Sequence, residues 1–465
     1  MIKTRLLDVG GKKLLVSMHL LLRATFSRGR FHSNSFSCHR PSFQRRTYSD
    51  TPQSHSRGDA AADSAAPITP VVQNVELTFV EEPLGLLADQ GYGYLQVDFG
   101  QRLGPSGRYE ILRKLGWGMN ASVWLARDHV NARYVAVKAL KGMSTDLHFQ
   151  GYIQELPIME RVTQLIRRSG HPVYCTPLLS HFIHPGKPND GQHLCLVMDV
   201  LAADVETLGN AYTALPPQLV KLILRDSLRG LAQLHASGCV HTDLKASNIM
   251  CNVPDLTTED NLRATIEMTP ARRHPPQQSW DPVVEAAVSQ PLPLPTLEQA
   301  SSGSFMLADF GSAQIIADQV TSHITPETLR APEVIMRRPW DSKVDIWTFG
   351  CLVYEFLLGV PLFSRECATD PADPDQHHLA QMRALTGDEL ALNFELPPHI
   401  LGSLSATHFS LLFREKALAL GLSEHDVAGA VDVMSRCLRI DPTARPTAIQ
   451  LARESPWLLE LGDDF

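Results

Sequence analysis

Hydrophobic and polar positions alternate in a run that begins at Arg108 and reads RYEILRKLGWGMNASVWLARDHVNARYVAVKAL. This alternation predicts two β-strands joined at a glycine turn, followed by a third strand. The next segment, GYIQELPIMERV, has the apolar spacing of a helix. Much later, KVDIWTFGCLVYEFLLGVPLF is apolar for nearly the length of a membrane span, but Asp345 and Glu355 interrupt it. This last segment is therefore predicted to be the buried central helix of a large lobe and not a membrane span.

The first 49 residues have a different pattern, in which short apolar clusters lie among scattered Arg, Lys and Ser, and Asp8 is the one acid. This composition is typical of a mitochondrial transit peptide, and a plain basic extension fits it equally well. The Arg-rich continuation argues against a secretory signal, and the apolar stretch at residues 14–22 is shorter than the roughly 20 residues that span a bilayer. A transit peptide would direct the chain to mitochondria, whereas a plain extension would leave it in the cytoplasm or nucleus.

Residues 50–85 are predicted to form a linker, because the part from 51 to 72 is mostly Ala, Ser, Pro and Asp without a periodic apolar face. The whole chain of 465 residues holds 42 Lys and Arg against 50 Asp and Glu. Since ten of these bases and one of these acids lie in the leader, the body is clearly acidic. Such a charge disfavours direct nucleic-acid binding and is compatible with basic protein partners, although solubility is its commonest reason. The eight cysteines form no C-x-x-C pair, which argues against a disulfide framework and a zinc site.

The glycine turn between the first two predicted strands is a candidate phosphate-binding loop. Gly116 and Gly118 allow the backbone N–H groups to approach a phosphate closely. A lone G-x-G also fits an ordinary hairpin, and Ala121 replaces the third glycine of the phosphate-binding pattern. Val123 follows two residues later, where a branched apolar side chain can cover an adenine.

The third predicted strand, Val135-Ala136-Val137-Lys138, ends on a charge that requires a partner inside a protein. Glu155 in the following helical segment is the predicted partner, because its carboxylate would hold the Lys138 ammonium toward the α- and β-phosphates. Glu160, one turn later, is the alternative. Taken alone, Lys138 would be interpreted as a surface lysine, but the surrounding pattern favours the phosphate role.

The stretch HTDLKASN at residues 241–248 follows the protein-kinase catalytic loop H-R-D-L-x-x-x-N at every fixed position but the second. The pattern makes Asp243 the catalytic base and Asn248 a magnesium ligand, since a carboxylate can accept the hydroxyl proton and a carboxamide oxygen can bind a hard cation. Lys245 can neutralise the γ-phosphate, and a lysine at this position points to Ser/Thr substrates among kinases. Asp309, in the Asp-Phe-Gly of FMLADFGSAQ, supplies the second magnesium ligand.

Two further motifs follow in the order expected of a kinase. Ala331-Pro332-Glu333 closes a segment of ordinary activation-loop length, and Arg445 stands where a kinase arginine pairs with the glutamate of that motif. A lone Asp is usually a capping residue and a lone Asp-Phe-Gly is usually a turn. The order and spacing of all the motifs are what predict a protein kinase.

Thr242 stands where most kinase catalytic loops carry an arginine that pairs with a phosphorylated activation-loop residue. Its presence removes that pairing but leaves the base and the metal ligands in place. The pattern therefore predicts an enzyme that is active without this phosphate switch.

The glycine-loop sequence LRKLGWGMNASVWLARD, the H-T-D of the catalytic loop and the long gap before Asp309 together resemble the serine/arginine protein kinases. This resemblance implies a protein substrate in which serines lie beside arginines. It also places the family's insert at about residues 252–303, whose Pro-, Ser- and Gln-rich composition predicts a mobile loop. The segment DQHHLAQMRALTG resembles an additional helical segment of the wider kinase group, and ordinary packing is its alternative role.

The sequence thus predicts an α+β fold with two lobes, a small β-rich N-lobe over residues 86–201 and a larger helical C-lobe over residues 202–465. ATP and Mg²⁺ are expected in the cleft between them. The resemblance places the adenine against Val123, Ala136 and the hinge residues Met198 and Leu201. The predicted function is an ATP-dependent protein serine/threonine kinase.

Two alternatives belong to other classes. A pseudokinase would keep the fold as a nucleotide-binding or scaffold module; it is suggested by Pro326, where Ser/Thr kinases usually carry a threonine, and by Ala246, which replaces the family's proline. The retained Lys138 and Asp243 argue against it. A small-molecule kinase would share the phosphate and metal residues but should lack the Ala-Pro-Glu segment and Arg445.

Overall fold

The computed structural model describes residues 2–9, 12–17, 75–212, 214–279, 283–363, 374–389 and 408–462. The chain divides into two units, Met1–Val80 and Glu81–Phe465. Residues 18–74, which hold most of the predicted leader and linker, lie outside the described residues.

The first unit contains three antiparallel strands in the order β2-β1-β3, with the bounds β1 Ile2–Val9, β2 Lys12–Ser17 and β3 Val75–Phe79. Strand β3 lies inside the range predicted as linker. The second unit begins at Glu81, also inside that range, because Glu81 and Glu82 are buried against Lys114. The folded domain therefore begins earlier than the predicted residue 86.

The second unit opens with an antiparallel sheet of six strands in the order β4-β5-β6-β7-β9-β8. The bounds of these strands are β4 Arg102–Leu103, β5 Tyr109–Trp117, β6 Ala121–Asp128, β7 Arg133–Leu140, β8 Ser180–Pro185 and β9 Gln192–Met198. Ile111, Trp124 and Val137 belong to a hydrophobic cluster on one face of the sheet. Strands β5, β6 and β7 are the three that the alternating pattern predicts.

Two α-helices lie between β7 and β8, and the other α-helices follow β9. Their bounds are α1 Gly142–Phe149, α2 Glu155–Ser169, α3 Val205–Ala211, α4 Pro217–Ala236, α5 Glu259–Met268, α6 Leu297–Ser302, α7 Pro332–Ile335, α8 Lys343–Leu358, α9 Pro374–Thr386, α10 Phe409–Ala419, α11 Glu424–Cys437, α12 Ala448–Glu454 and α13 Pro456–Leu459. Four short strands form two antiparallel pairs, β10 Cys239–Val240 with β13 Gln314–Ile315 and β11 Ile249–Asn252 with β12 Ser304–Leu307.

Helix α8 is the central helix that the long apolar stretch predicts. Every residue from Val344 to Tyr354 is buried, and their apolar side chains belong to the largest hydrophobic cluster of the chain. In the described part of the chain, no helix is both long enough and apolar enough to cross a membrane. The interpretation of this stretch as a buried helix is confirmed.

The insert between β11 and β12 packs against the sheet rather than looping out as its composition predicts. Hydrogen bonds from His274 N–H to the Ala286 carbonyl (2.8 Å) and between Gln277 and Val284 (2.9 Å) form a narrow ribbon. Ala287 joins the hydrophobic cluster of the six-stranded sheet, and α5 contributes the buried Leu262 to a second cluster. These few apolar side chains give the segment a buried face that its overall composition conceals.

Candidate active site

The glycine turn joins β5 to β6 at one end of the sheet. Gly116 lies opposite Val123 in the strand pairing, and the Gly118 N–H donates a 2.9 Å hydrogen bond to the Ala121 carbonyl. A Cβ added at Gly116 or Gly118 would meet no atom within 4 Å, so both glycines border open space. The side chain of Ala121 is buried, and only its backbone contributes to the turn.

The residues predicted to hold the adenine share one face of the sheet. Val123 pairs directly with Lys138, and Ala136 pairs with Met198. Because directly opposed residues of antiparallel strands point to the same face, and alternate residues of one strand do so as well, all four side chains lie on that face. Leu201 follows shortly after Met198 and is half-buried, as Met198 is.

Lys138 joins two carboxylates that come from different parts of the chain. Its Nζ donates to Glu155 Oε1 at 2.5 Å and to Asp309 Oδ1 at 2.6 Å. Glu155 is the first residue of α2 and is buried, whereas Glu160 is exposed to solvent. The structure therefore selects Glu155 over Glu160 as the partner of Lys138.

The ammonium of Lys138 and the carboxylate of Asp309 stabilise each other's charge, whereas burial and the charge of Asp309 raise the pKa of Glu155. Burial opposes the positive charge of Lys138, but the carboxylates of Asp309 and Glu155 outweigh this effect and raise the pKa of the lysine. Chiefly through its charge, Lys138 in turn lowers the pKa of Asp309 to about 2. At neutral pH Asp309 is therefore ionised, as a ligand of a cation must be, and Lys138 is protonated, as a partner of a phosphate must be.

A hairpin brings the two predicted metal ligands together. Asn248 immediately precedes β11, and Asp309 is the second residue after β12. Between them, the Ala308 N–H donates to the Asn248 carbonyl at 2.9 Å across the strand pair. One carboxylate and one carboxamide oxygen are the ligand types of a hard cation such as Mg²⁺. In the described residues no three acid, histidine or cysteine side chains form a cluster that could hold a metal by themselves. This donor set fits an ion that keeps water molecules and phosphate oxygens as its other ligands.

Asp243 lies in the catalytic loop, where its neighbours donate hydrogen bonds to it. Its Oδ2 accepts hydrogen bonds from Lys245 Nζ at 2.8 Å and from Asn248 Nδ2 at 3.2 Å. The Asn248 amide also donates to the Asp243 backbone carbonyl at 2.8 Å, so the loop closes on itself. Asp243 and Lys245 are only partly buried, which leaves them accessible to a substrate.

Asp345, in the buried helix α8, anchors the backbone of the catalytic loop. Its carboxylate accepts the N–H groups of His241 (2.8 Å) and Thr242 (3.0 Å), and it contacts His235 Nε2 at 2.8 Å. Burial opposes ionisation of Asp345, but these hydrogen bonds and the nearby histidines lower its pKa. The sequence shows an acid within an apolar helix, which signals a buried partner but not its identity.

A second ion pair fixes the end of the activation segment. Arg445 donates to Glu333 through two hydrogen bonds of 2.7 and 2.8 Å, and both side chains are buried. This bidentate pair confirms the contact that the sequence predicts between them.

Comparison with known proteins agrees with this geometry. The protein kinase domain model matches residues 109–265 and 296–458, and the chain belongs to this family. The unmatched residues between these two ranges lie in the insert.

Three relatives carry kinase names. The serine/threonine-protein kinase SRPK of Physarum polycephalum is 30% identical over 301 residues, which is 60% of this chain and 67% of the relative. Protein kinase dsk1 of Schizosaccharomyces pombe is 25% identical and covers 77% of this chain and 81% of its own length. The dual specificity protein kinase CLK1 of Mus musculus is 26% identical over 67% of this chain and 54% of its own length.

The two-lobed fold and the ATP-dependent chemistry predicted from the sequence are thus confirmed. The chain is a protein serine/threonine kinase that resembles the serine/arginine protein kinases, uses ATP with a divalent metal ion, and acts on proteins.

Proposed function

We propose that this kinase transfers the γ-phosphoryl group of ATP, bound with Mg²⁺, to serine side chains in arginine-rich protein segments. The observation that carries the transfer is the cluster of Lys138, Glu155 and Asp309, whose contacts of 2.5 and 2.6 Å hold the lysine and the metal-binding carboxylate in one place. Such an arrangement supports catalysis and argues against a pseudokinase.

Asp243 has the role of orienting the substrate hydroxyl. The serine Oγ forms a bond to the γ-phosphorus while the bond to the β–γ bridging oxygen breaks, so ADP leaves with that bridging oxygen. The serine proton passes to the carboxylate of Asp243, and Lys245 lies 2.8 Å from the same carboxylate, where it can also neutralise the transferred group. Most of the rate enhancement in this arrangement comes from positioning.

Asn248 and Asp309 are the residues that would hold Mg²⁺, which supplies positive charge to the phosphate oxygens when bound. Lys138 stands beside Asp309 and is placed for the α- and β-phosphates. Val123, Ala136, Met198 and Leu201 would line the adenine, and the glycine turn would cover the phosphates.

Two carboxylates near the catalytic loop support an arginine-rich substrate. Helix α3, which carries the exposed Glu206, packs against the turn Ala246–Asn248 that follows the catalytic base. Burial and the nearby charge of Glu206 raise the pKa of Glu355 in α8. Among the described residues, no lysine or arginine forms an ion pair with either carboxylate. A substrate guanidinium placed between them would relieve their repulsion and would donate hydrogen bonds to both carboxylates.

The experiment is labelled phosphate transfer from ATP by the full chain, with an Arg-Ser repeat peptide, a matched Lys-Ser repeat and an acidic serine peptide as substrates. The Asp243→Asn protein is the blank. We expect transfer to the Arg-Ser peptide, weaker transfer to the Lys-Ser peptide and little to the acidic one. Binding of ATP without transfer to any substrate would contradict the proposal and favour a pseudokinase.

The double variant Glu206→Gln/Glu355→Gln tests the arginine preference separately. Its KM for the Arg-Ser peptide should rise about 10-fold or more, as expected for the loss of charged hydrogen bonds, while its KM for ATP stays unchanged. Glu285→Gln is the control, because Glu285 is an exposed glutamate of the ribbon in the insert, which packs against the six-stranded sheet. An unchanged preference for Arg-Ser over Lys-Ser in the double variant would remove these carboxylates from substrate recognition.

A further inference from the structure

Tyr94 lies in the segment that precedes the six-stranded sheet, and the sequence indicates no role for it. Its side chain is 3% exposed. The backbone around it is tied to the start of α1, because the N–H of Gly142 donates to the Gly93 carbonyl at 2.7 Å and the N–H of Met143 donates to the Tyr92 carbonyl at 3.2 Å. Tyr94 therefore projects from a backbone that is anchored at the start of α1, where the N–H of Lys141 also donates to the Asn120 carbonyl of the glycine turn at 2.9 Å.

The hydroxyl of Tyr94 reaches the tip of the glycine turn. It lies 2.8 Å from the carbonyl oxygen of Gly118 and 2.8 Å from that of Met119. One hydroxyl proton is thus shared between two successive carbonyl groups. Gly118 and Met119 are themselves exposed, so the contact links an exposed turn to a buried side chain.

Aromatic and cationic neighbours hold the ring of Tyr94 in place. The ring of Trp117 meets it edge-on at a centroid distance of 6.2 Å, and Lys141 Nζ lies 5.8 Å from its centroid. The Trp117 ring in turn lies 5.9 Å from Lys114 Nζ, which is buried. Burial raises the pKa of Tyr94, so its hydroxyl stays protonated and available as a donor at neutral pH.

The direction of these hydrogen bonds matters for phosphate binding. In a trans peptide the C=O and N–H groups point in opposite directions. Because the carbonyl groups of Gly118 and Met119 point at Tyr94, the N–H groups of Met119 and Asn120 point away from it. The turn is therefore held with N–H groups directed to the side where a phosphate can accept them.

We propose that Tyr94 is a positioning residue that fixes the tip of the glycine turn in the conformation that covers the ATP phosphates. This inference rests on the use of ATP described above. A turn containing Gly116 and Gly118 has many accessible conformations when free, and ordering it on nucleotide binding costs entropy. An anchor that orders the turn in advance lowers this cost and strengthens nucleotide binding.

The test is Tyr94→Phe in the full chain, which removes the hydroxyl and keeps the ring. We expect the Kd for ATP and for ADP to rise about 3- to 10-fold, the effect of one lost hydrogen bond, with an unchanged KM for the protein substrate. Amide hydrogen exchange at residues 117–121 of the nucleotide-free protein should also become faster. If Tyr94 had a merely structural role, the substitution would lower the melting temperature without a specific change in the nucleotide Kd or in amide exchange at residues 117–121.

Tyr92→Phe is the matched control, because Tyr92 is a buried tyrosine of the same segment whose hydroxyl makes no hydrogen bond to the described residues. Unchanged nucleotide affinity and unchanged exchange in Tyr94→Phe would overturn the proposal, as would equal effects of the two variants. The results of this test can be distinguished from the results that test the proposed function. Absence of phosphate transfer in the wild-type protein, together with weaker ATP binding in Tyr94→Phe, would contradict the catalytic proposal and support the anchor.

Discussion

The hydroxyl of Thr242 donates a 2.6 Å hydrogen bond to the backbone carbonyl of Ser312. Thr242 immediately precedes the catalytic base, and Ser312 follows the Asp-Phe-Gly motif at the start of the activation segment. The backbone carbonyl of Thr242 accepts a second hydrogen bond, of 2.8 Å, from the Thr325 N–H near the far end of the same segment. One residue of the catalytic loop thus contacts both ends of the activation segment through groups that require no phosphate.

This arrangement depends on an unfavourable backbone conformation. Thr242 has a φ of 61°, in the left-handed region that β-branched residues rarely adopt. Its N–H and that of His241 both donate to Asp345, which holds the backbone in this conformation. The substitution of the usual arginine by threonine is therefore part of a specific set of contacts, and not simply the loss of a phosphate partner.

Activity without activation-segment phosphorylation follows from these contacts. We expect phosphatase-treated protein to have the same kcat as protein treated with an activating kinase, because Thr242 cannot pair with a phosphate and already holds the segment. Thr242→Val removes the hydroxyl at nearly constant shape and should lower kcat about 3- to 10-fold with little change in ATP affinity. A large gain in activity upon phosphorylation of the wild-type protein would contradict this expectation.

Asp243→Asn should separate nucleotide binding from turnover. The carboxamide keeps the shape of the side chain but cannot accept the serine proton, so we expect kcat to fall by a factor of about 10² to 10⁴ while the Kd for ATP changes little. Steady-state kinetics and calorimetric titration with ATP measure the two quantities. Asp432→Asn, at an exposed position of α11, serves as the control and should keep full activity. Equal kcat in the wild-type and Asp243→Asn proteins would remove Asp243 from its assigned role.

The sequence allows the active site to be predicted where function requires fixed residue types at fixed spacings. The pairs Lys138–Glu155 and Glu333–Arg445 are examples, since each partner belongs to a recognisable motif. The packing of the insert could not be predicted in this way. The Gln290 N–H donates to the Lys114 carbonyl at 2.9 Å, although no periodic pattern connects residues so distant along the chain. Tyr94 is a similar case, because one tyrosine in a turn-rich segment carries no signal of a distant partner.

Lys114 should be important for stability, because it is fully buried beside two carboxylates. Its Nζ lies 3.0 Å from Glu81 Oε2 and also contacts Glu82. Burial opposes ionisation of Glu81, but hydrogen bonds from Ser289 and Lys114 outweigh it and lower the pKa of Glu81 to about 2. Lys114→Met would leave a buried charge unpaired, so we expect the free energy of unfolding to fall by about 3–5 kcal/mol in denaturant titrations.

Two further variants distinguish loss of the ion pair from loss of packing at Lys114. Lys416→Met, at an exposed position of α10, should change the free energy of unfolding little. The triple variant Glu81→Gln/Glu82→Gln/Lys114→Met should recover much of the loss, since it leaves no unpaired buried charge. If Lys114→Met is as stable as the wild-type protein, the cluster does not stabilise the fold.

Asp190 should make the stability of the domain depend on pH. It is fully buried, its two carboxylate oxygens accept hydrogen bonds from Gln96 Nε2 at 3.1 and 3.0 Å, and burial is the main reason that its pKa rises to about 6. The same carboxyl in the unfolded chain loses its proton near pH 4. Between about pH 4 and pH 6 the folded state therefore binds more protons than the unfolded state, and the Asp190 contribution to stability falls as pH rises through this window.

Asp190→Asn removes this contribution, because the carboxamide has no proton to lose and can still accept a hydrogen bond from Gln96. We expect the variant and the wild-type protein to have similar melting temperatures at pH 4. As the pH rises from 4 to about 6, the variant should become progressively more stable than the wild-type protein. Above pH 6 the difference in the free energy of unfolding should stay constant, at most about 3 kcal/mol. The nearby His193, whose pKa burial lowers to about 4, titrates in both proteins and so cancels in the comparison. Asp146→Asn, at an exposed position of α1, should show no such trend. A difference between Asp190→Asn and the wild-type protein that stays constant from pH 4 to pH 8 would show that this carboxyl is not perturbed by burial.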